Sequence, residues 1–181
     1  MVYKEIKQVL FDKQTIDNKV AEIGAQITKE YAGQRPLVVC TLKGAVTFFA
    51  DLVRKIDADL EFDFIAASSY GNGTTSSGEL RVSKDLSANP RGRVVILVED
   101  IIDTGRTLAH LKQNLLYRGA KEVKICTFLN KPSRRVVDVD VDYCGFVIPD
   151  EFVVGYGIDY AEKYRNLDYI GIVDTNCLKD L

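Results

Sequence analysis

Residues Val94–Leu108 read VVILVEDIIDTGRTL. The opening VVILV is β-branched or leucine throughout, the composition of a strand buried on both faces as parallel sheets require. The run stops at Glu99 and Asp100, and after two apolar residues Asp103, Thr104 and Gly105 lead into a different pattern. Leu108, Leu111 and Leu115 recur at helical spacing and Gly119 supplies a stop, so residues 104–118 read as a helix. A buried strand that feeds a helix through a short turn is half of a βαβ unit. Ligands of open α/β sheets bind beyond the carboxyl ends of such strands.

The rest of the chain repeats this alternation. PLVVCTL (36–42), LEFDFIAASSY (60–70), EVKICTFLN (122–130), DYCGFVI (142–148) and YIGIVD (169–174) read as further strands, with ELRV (79–82) as a short one. Ile16, Val20, Ile23, Ile27 and Tyr31 form one helical stripe, with Thr15 as the expected N-cap and Gly33 as the stop. KGAVTFFADLVRKI (43–56) reads as a helix opening at Gly44. GNGTTSSG (71–78) has no apolar side chain and reads as a surface loop. The expectation is an α/β fold with a mainly parallel sheet flanked by helices, as one domain over 1–181. The N-terminal helix and the C-terminal third are left free to build a second lobe.

At 181 residues, with 46% hydrophobic and 28% charged residues, the chain can bury a sizeable core. The N-terminal MVYKEIKQVLF has no long apolar segment, and the reading is a cytoplasmic protein without a membrane partner. A net charge of −2 and a pI near 5.5 give no basic footprint for nucleic acid. Arg91–Arg93 and Lys131–Arg135 are read as solvated turns. Cys40, Cys126, Cys144 and Cys177 lack metal-ligand spacing and are expected to be reduced, Cys40 and Cys126 as small core hydrophobes.

The acidic strand end carries the chemistry. The first N–H groups of the helix after Gly105 have no partners within it, and its dipole favours an anion. Small residues at 104, 105 and 107 let backbone amides close on a phosphate, and two threonine hydroxyls add donors. Glu99 and Asp100 accept hydrogen bonds only. A phosphorylated sugar satisfies both devices, its phosphate in the cradle and its hydroxyls on the carboxylates. Helix capping by Asp103 or Thr104 is the plainer alternative, and it explains one residue but not the acidic pair. The P-loop pattern G-x-x-x-x-G-K-[ST] is absent.

The same stretch resembles the phosphoribosyl-pyrophosphate signature of the type I phosphoribosyltransferases. LNKPSRR (129–135) and GFVIPDEFVVGYGIDYAEKYRNL (145–167) resemble the purine-binding region of that family's hypoxanthine-guanine branch. TLKG (41–44) and the pair Ser69–Tyr70 match it too, and the likeness extends from about residue 36 to 172. It implies a small hood built from the N-terminal segment and part of the C-terminal third. It also implies purine salvage, with Mg2+ and phosphoribosyl pyrophosphate, on a 6-oxopurine base, in a homodimer or homotetramer.

The residue roles are carried over from that resemblance. Glu99 and Asp100 would hold the ribose hydroxyls, directly or through magnesium, and Asp159 would be the ligand of a second magnesium. Asp103 would face purine N7 as general acid/base. Thr104, Gly105, Arg106 and Thr107 would bind the 5′-phosphate, Arg106 through its amide. Lys131 would donate to the purine O6, Phe152 would stack on the base and Val153 would offer backbone groups to its edge. Lys43 and Gly44 would bind pyrophosphate next to a strained, often cis, peptide, with Arg165 as a further contact. The 71–78 loop would close as a flap, with Ser69 and Tyr70 over the pyrophosphate.

Asn130 stands where bacterial relatives commonly carry an acid and is expected to tune the site without changing the reaction. His110 is expected to face solvent, and DTNCLKDL (174–181) matches nothing in the family. A xanthine-preferring enzyme is the near alternative. An RNA-binding pyrimidine-operon regulator with the same motif is the distant one, and the acidic pI opposes it. An amidotransferase is opposed by Met1–Val2, which offers no N-terminal nucleophilic cysteine.

Overall fold

Two sheets of different construction make up this computed structural model, which describes residues 3–69 and 80–180. The larger has six strands in the order β4-β3-β2-β5-β6-β7. They are β2 (Leu37–Thr41), β3 (Glu61–Ser69), β4 (Leu80–Lys84), β5 (Val94–Ile102), β6 (Glu122–Asn130) and β7 (Tyr143–Val147). All neighbours pair in parallel except β4, which returns antiparallel along β3. The expected α/β class with a mainly parallel sheet is what the chain adopts.

Strand β5 shows why its sequence reads as it does. Val94 to Val98 are all buried, and successive side chains enter opposite layers. Ile96 and Val98 join a core that contains α1 (Lys13–Glu30) and α2 (Val46–Val53). Val95 and Leu97 join a second core with Leu108, Leu111 and Leu115 of α3 (Arg106–Tyr117). A strand covered on both faces has no polar side to show, so alternation disappears.

The smaller sheet is antiparallel, in the order β1 (Ile6–Phe11), β9 (Ile170–Val173), β8 (Val153–Val154). The sequence reading named no strand at 6–11. Its burial pattern is irregular and its register against β9 breaks twice, so the two-residue period is missing. Helix α1 packs against α2 over the main sheet and shares its core.

Element ends differ in detail. The N-cap of α1 is Asp12, whose carboxylate accepts the Thr15 N–H at 2.8 Å, so Thr15 is three residues inside the cap it was expected to be. The helix stops at Tyr31, and Gly33 takes the left-handed backbone (φ 73°) just beyond. Helix α2 starts at Val46, two residues later than expected, because residues 42–45 form a turn. Among the described residues no helix is long and apolar enough to cross a membrane.

Candidate active site

The carboxyl ends of β2 and β5 and the start of α3 enclose a cavity of about 240 Å³. Glu99, Asp103, Thr104, Gly105 and Thr107 line it together with Thr41 and Leu42. The motif residues are thus gathered because parallel strands end on one edge. Gly105 has φ 80°, and a Cβ there would lie 2.7 Å from the Val137 carbonyl oxygen. The turn therefore needs glycine both for its backbone and for the close approach of the 131–139 segment.

Burial first, and then the neighbouring Asp100 charge, push the Glu99 carboxyl well above the usual carboxylate range. No cation pairs with Glu99 or Asp100 among the described residues. Adjacent hard oxygen donors without a counter-charge fit either sugar hydroxyls or a divalent cation. No group of three or more His, Cys, Asp or Glu among the described residues forms a metal cage of protein groups alone. A cation held here would complete its shell from the substrate, as magnesium sites with one or two carboxylates do.

Asp103 sits at the end of β5 with one oxygen, Oδ1, buried and without a hydrogen-bond donor. Arg134 Nε stands 3.4 Å from it, and Arg134 Nη1 stands 3.5 Å from Asp150. Asp150 is also 4.0 Å from Lys131 Nζ. Lys131 is buried and donates its backbone N–H to the Ile102 carbonyl, so the turn read as solvated is docked on the motif. Arg135 completes this docking. Its Nε donates to the Asp103 carbonyl (3.2 Å), Nη1 to Val139 (3.4 Å) and Nη2 to Asn130 Oδ1 (2.5 Å). Asn130 thus serves as a neutral acceptor for Arg135.

On the opposite wall the Leu42–Lys43 peptide is cis. Gly44 follows, and a Cβ there would lie 1.8 Å from Asp100 Oδ2. Gly157 packs on the Gly44 carbonyl, and Arg165 Nη1 donates to the Gly157 carbonyl at 2.8 Å. Arg165 Nη2 pairs with Asp159 at 2.8 Å, while its buried Nε has no acceptor. Phe152 is 40% exposed and meets Tyr160 edge-on at 5.7 Å, which makes it a surface aromatic and not a core one. Val153 is buried in β8.

Lys43, Gly44, Glu99, Asp100, Asp103, Thr104, Gly105, Thr107, Lys131, Asp159 and Arg165 are therefore connected through these contacts. Arg106 opens α3, and its N–H faces Thr104 Oγ1 at 3.5 Å. Ser69 ends β3, while Tyr70 and the 71–78 loop lie outside the described residues. His110 is exposed, as expected. Arg134, Arg135 and Glu162 were not singled out from the sequence, since their relevance comes from contacts across the fold.

A family model described as phosphoribosyl transferase domain matches residues 8–161. The chain is 53% identical over 173 residues to the hypoxanthine-guanine phosphoribosyltransferase of Streptococcus thermophilus, with 96% of each chain covered. A crystal structure of a Staphylococcus aureus hypoxanthine phosphoribosyltransferase superposes with TM-score 0.92 at 44% identity, covering 96% of this chain and 94% of that one. A Bacillus anthracis hypoxanthine-guanine phosphoribosyltransferase superposes with TM-score 0.90 at 49% identity, covering 94% and 100%. A parallel sheet with an acidic strand end above a glycine turn, and likeness over nearly the whole chain, lead to one conclusion: the chain belongs to the phosphoribosyltransferase family, in its hypoxanthine-guanine branch.

Proposed function

We propose that this chain salvages purines by moving the 5-phosphoribosyl group of phosphoribosyl pyrophosphate onto hypoxanthine or guanine, releasing pyrophosphate. The observation that carries this reading is a cavity lined by both the acidic strand end and the Asp103–Thr107 turn. In this reading Thr104, Gly105, Arg106 and Thr107 hold the 5′-phosphate at the start of α3. Glu99 and Asp100 hold the ribose hydroxyls.

The base enters beside Lys131, which donates to O6, and Phe152 covers its face. An amino group at that position, as in adenine, would place donor against donor. Val153 offers main-chain groups to the base edge. As the ring nitrogen bonds to the ribose carbon, the bond from that carbon to pyrophosphate breaks and the base gives up a proton. Asp103 holds that proton at N7, and its Oδ1, which accepts no hydrogen bond although Arg134 Nε stands 3.4 Å away, supports the assignment. Lys43, the Gly44 amide and Arg165 hold the departing pyrophosphate, and the acceptor-free Nε of Arg165 supports this. Mg2+ would neutralise charge on the leaving group, one ion held by Glu99 and Asp100 and a second by Asp159. Ser69, Tyr70 and the 71–78 loop would close over the site and exclude water. The three-stranded sheet would serve as the hood within the single domain 1–181. A homodimer or homotetramer is what the family resemblance implies for the assembly.

Pyrophosphate release with hypoxanthine, guanine, xanthine, adenine and uracil in parallel, with magnesium, tests the reading. Hypoxanthine and guanine should react; activity with xanthine or uracil alone would overturn it. Asp103→Asn should lower turnover about 10²- to 10⁴-fold with substrate affinity kept within a few-fold. Near-normal turnover in that variant would remove Asp103 from the proton-transfer role.

A further inference from the structure

The two cations assigned above to pyrophosphate already share an anionic partner inside the protein. Lys43 Nζ stands 3.3 Å from both carboxylate oxygens of Glu162. Arg165 Nη2 stands 3.3 Å from Glu162 Oε2. Asp159, which pairs with the same Nη2, accepts the backbone N–H of Glu162 at 2.8 Å. One carboxylate thus spans the gap between a lysine and an arginine that come from opposite parts of the chain.

The backbone beneath Glu162 is an unfavourable place for it. Tyr160 and Lys163 exchange N–H to carbonyl hydrogen bonds of 3.2 and 2.9 Å, closing a hairpin on two central residues. Those residues, Ala161 and Glu162, have φ of 48° and 63°. Positive φ at both positions defines a turn that selects Asn-Gly, and neither alanine nor glutamate suits it. Turn chemistry therefore does not explain a glutamate at 162, whereas its side-chain contacts do. Strain of this kind persists where a functional arrangement enforces it.

We propose that Glu162 is a built-in stand-in for pyrophosphate: it holds Lys43 and Arg165 in the free protein and yields them when pyrophosphate binds. The inference rests on the assignment of those two cations made above. It describes an exchange of non-covalent partners, with no bond made or broken. Glu162 keeps two like charges in place while the site is empty, and its return to them competes with the product. The cost is weaker pyrophosphate binding than the cations alone would give. The gain is a site that releases its product.

The test is the dissociation constant of pyrophosphate with magnesium, measured calorimetrically on the full chain. Glu162→Gln should bind pyrophosphate about 3- to 20-fold more tightly, the factor expected from freeing two exposed ion pairs. Its KM for phosphoribosyl pyrophosphate should fall in parallel. The double variant Ala161→Asn, Glu162→Gly, which suits the turn, should bind as tightly and also melt at a higher temperature. Arg165→Gln controls for the site assignment and should weaken pyrophosphate about tenfold or more. If Arg165→Gln weakens binding but both Glu162 variants bind no more tightly than the parent, the stand-in is wrong and the pyrophosphate site survives. If Arg165→Gln binds pyrophosphate normally, the site assignment fails and the stand-in fails with it.

Discussion

Gly44→Ala probes how the two walls of the cavity meet. Gly44 is not among the glycines with positive φ, so alanine meets no backbone penalty there. Its new methyl would lie 1.8 Å from Asp100 Oδ2 and 2.7 Å from Asp100 Cγ. Ordinary van der Waals contact begins near 3.4 Å, so the carboxylate must retreat by about 1.6 Å, the difference between the two distances. The obstructing atom is the free end of a side chain, and the folded state should lose less than about 1 kcal/mol. A misplacement of about 1 Å in a binding group can cost about 10²-fold in rate, and kcat/KM for phosphoribosyl pyrophosphate should fall by at least that much. Gly157→Ala is the matched control. Its Cβ would lie 2.0 Å from the Gly44 carbonyl, which is main chain, at φ 99°. That variant should lose about 3 kcal/mol or more of stability, because strain and a backbone clash combine. Urea unfolding and steady-state kinetics on both proteins separate the cases. A Gly44→Ala protein with parental kcat/KM, or one whose activity loss only tracks unfolding, would refute the reasoning.

Two further outcomes follow from buried charge. Burial raises the Asp63 carboxyl, but the amides of Ala88, Phe64 and Ser87 and the Lys84 ammonium outweigh it and hold the group below its ordinary value. A depressed folded-state pKa contributes stability that is present above the unfolded pKa of about 3.9 and is lost as pH falls through the lower folded value. Urea midpoints from pH 7 to pH 3 should therefore converge for the parent and Asp63→Asn as the medium becomes acid; a gap independent of pH would contradict this. Arg135→Ala removes three donors from three acceptors on both sides of the cradle. It should cost about 2–3 kcal/mol and raise the KM for phosphoribosyl pyrophosphate, with no rescue by Arg135→Lys, since one ammonium cannot span those acceptors. Full rescue by lysine would mean that only charge matters at 135.

Legibility followed the range of the forces involved. The β5 strand and α3 were readable because burial on both faces and a leucine stripe are written in neighbouring residues. β1 was not, since its pairing with β9 is stabilised by residues more than 150 positions away and leaves no alternation behind. The N-cap of α1 was misplaced by three residues because Asp12 and Thr15 are both competent caps, and only backbone direction selects between them. Lys131–Arg135 looked like a solvated turn because local charge density signals solvent; the Asp103 carbonyl that receives Arg135 lies 32 positions away and comes from the tertiary fold.

The sequence by itself determined the class of fold, the family and the residues proposed to hold the phosphoribosyl donor. Those depend on short-range features: apolar runs, a glycine turn and acids at a strand end. Only the tertiary structure decided that Gly44 leans on Asp100, that Arg135 braces the Asp103–Thr107 turn and that Glu162 pairs with Lys43 and Arg165. Each of these joins segments far apart in the chain. Their energies come from desolvated contacts and charge pairing that exist only after the chain has closed on itself.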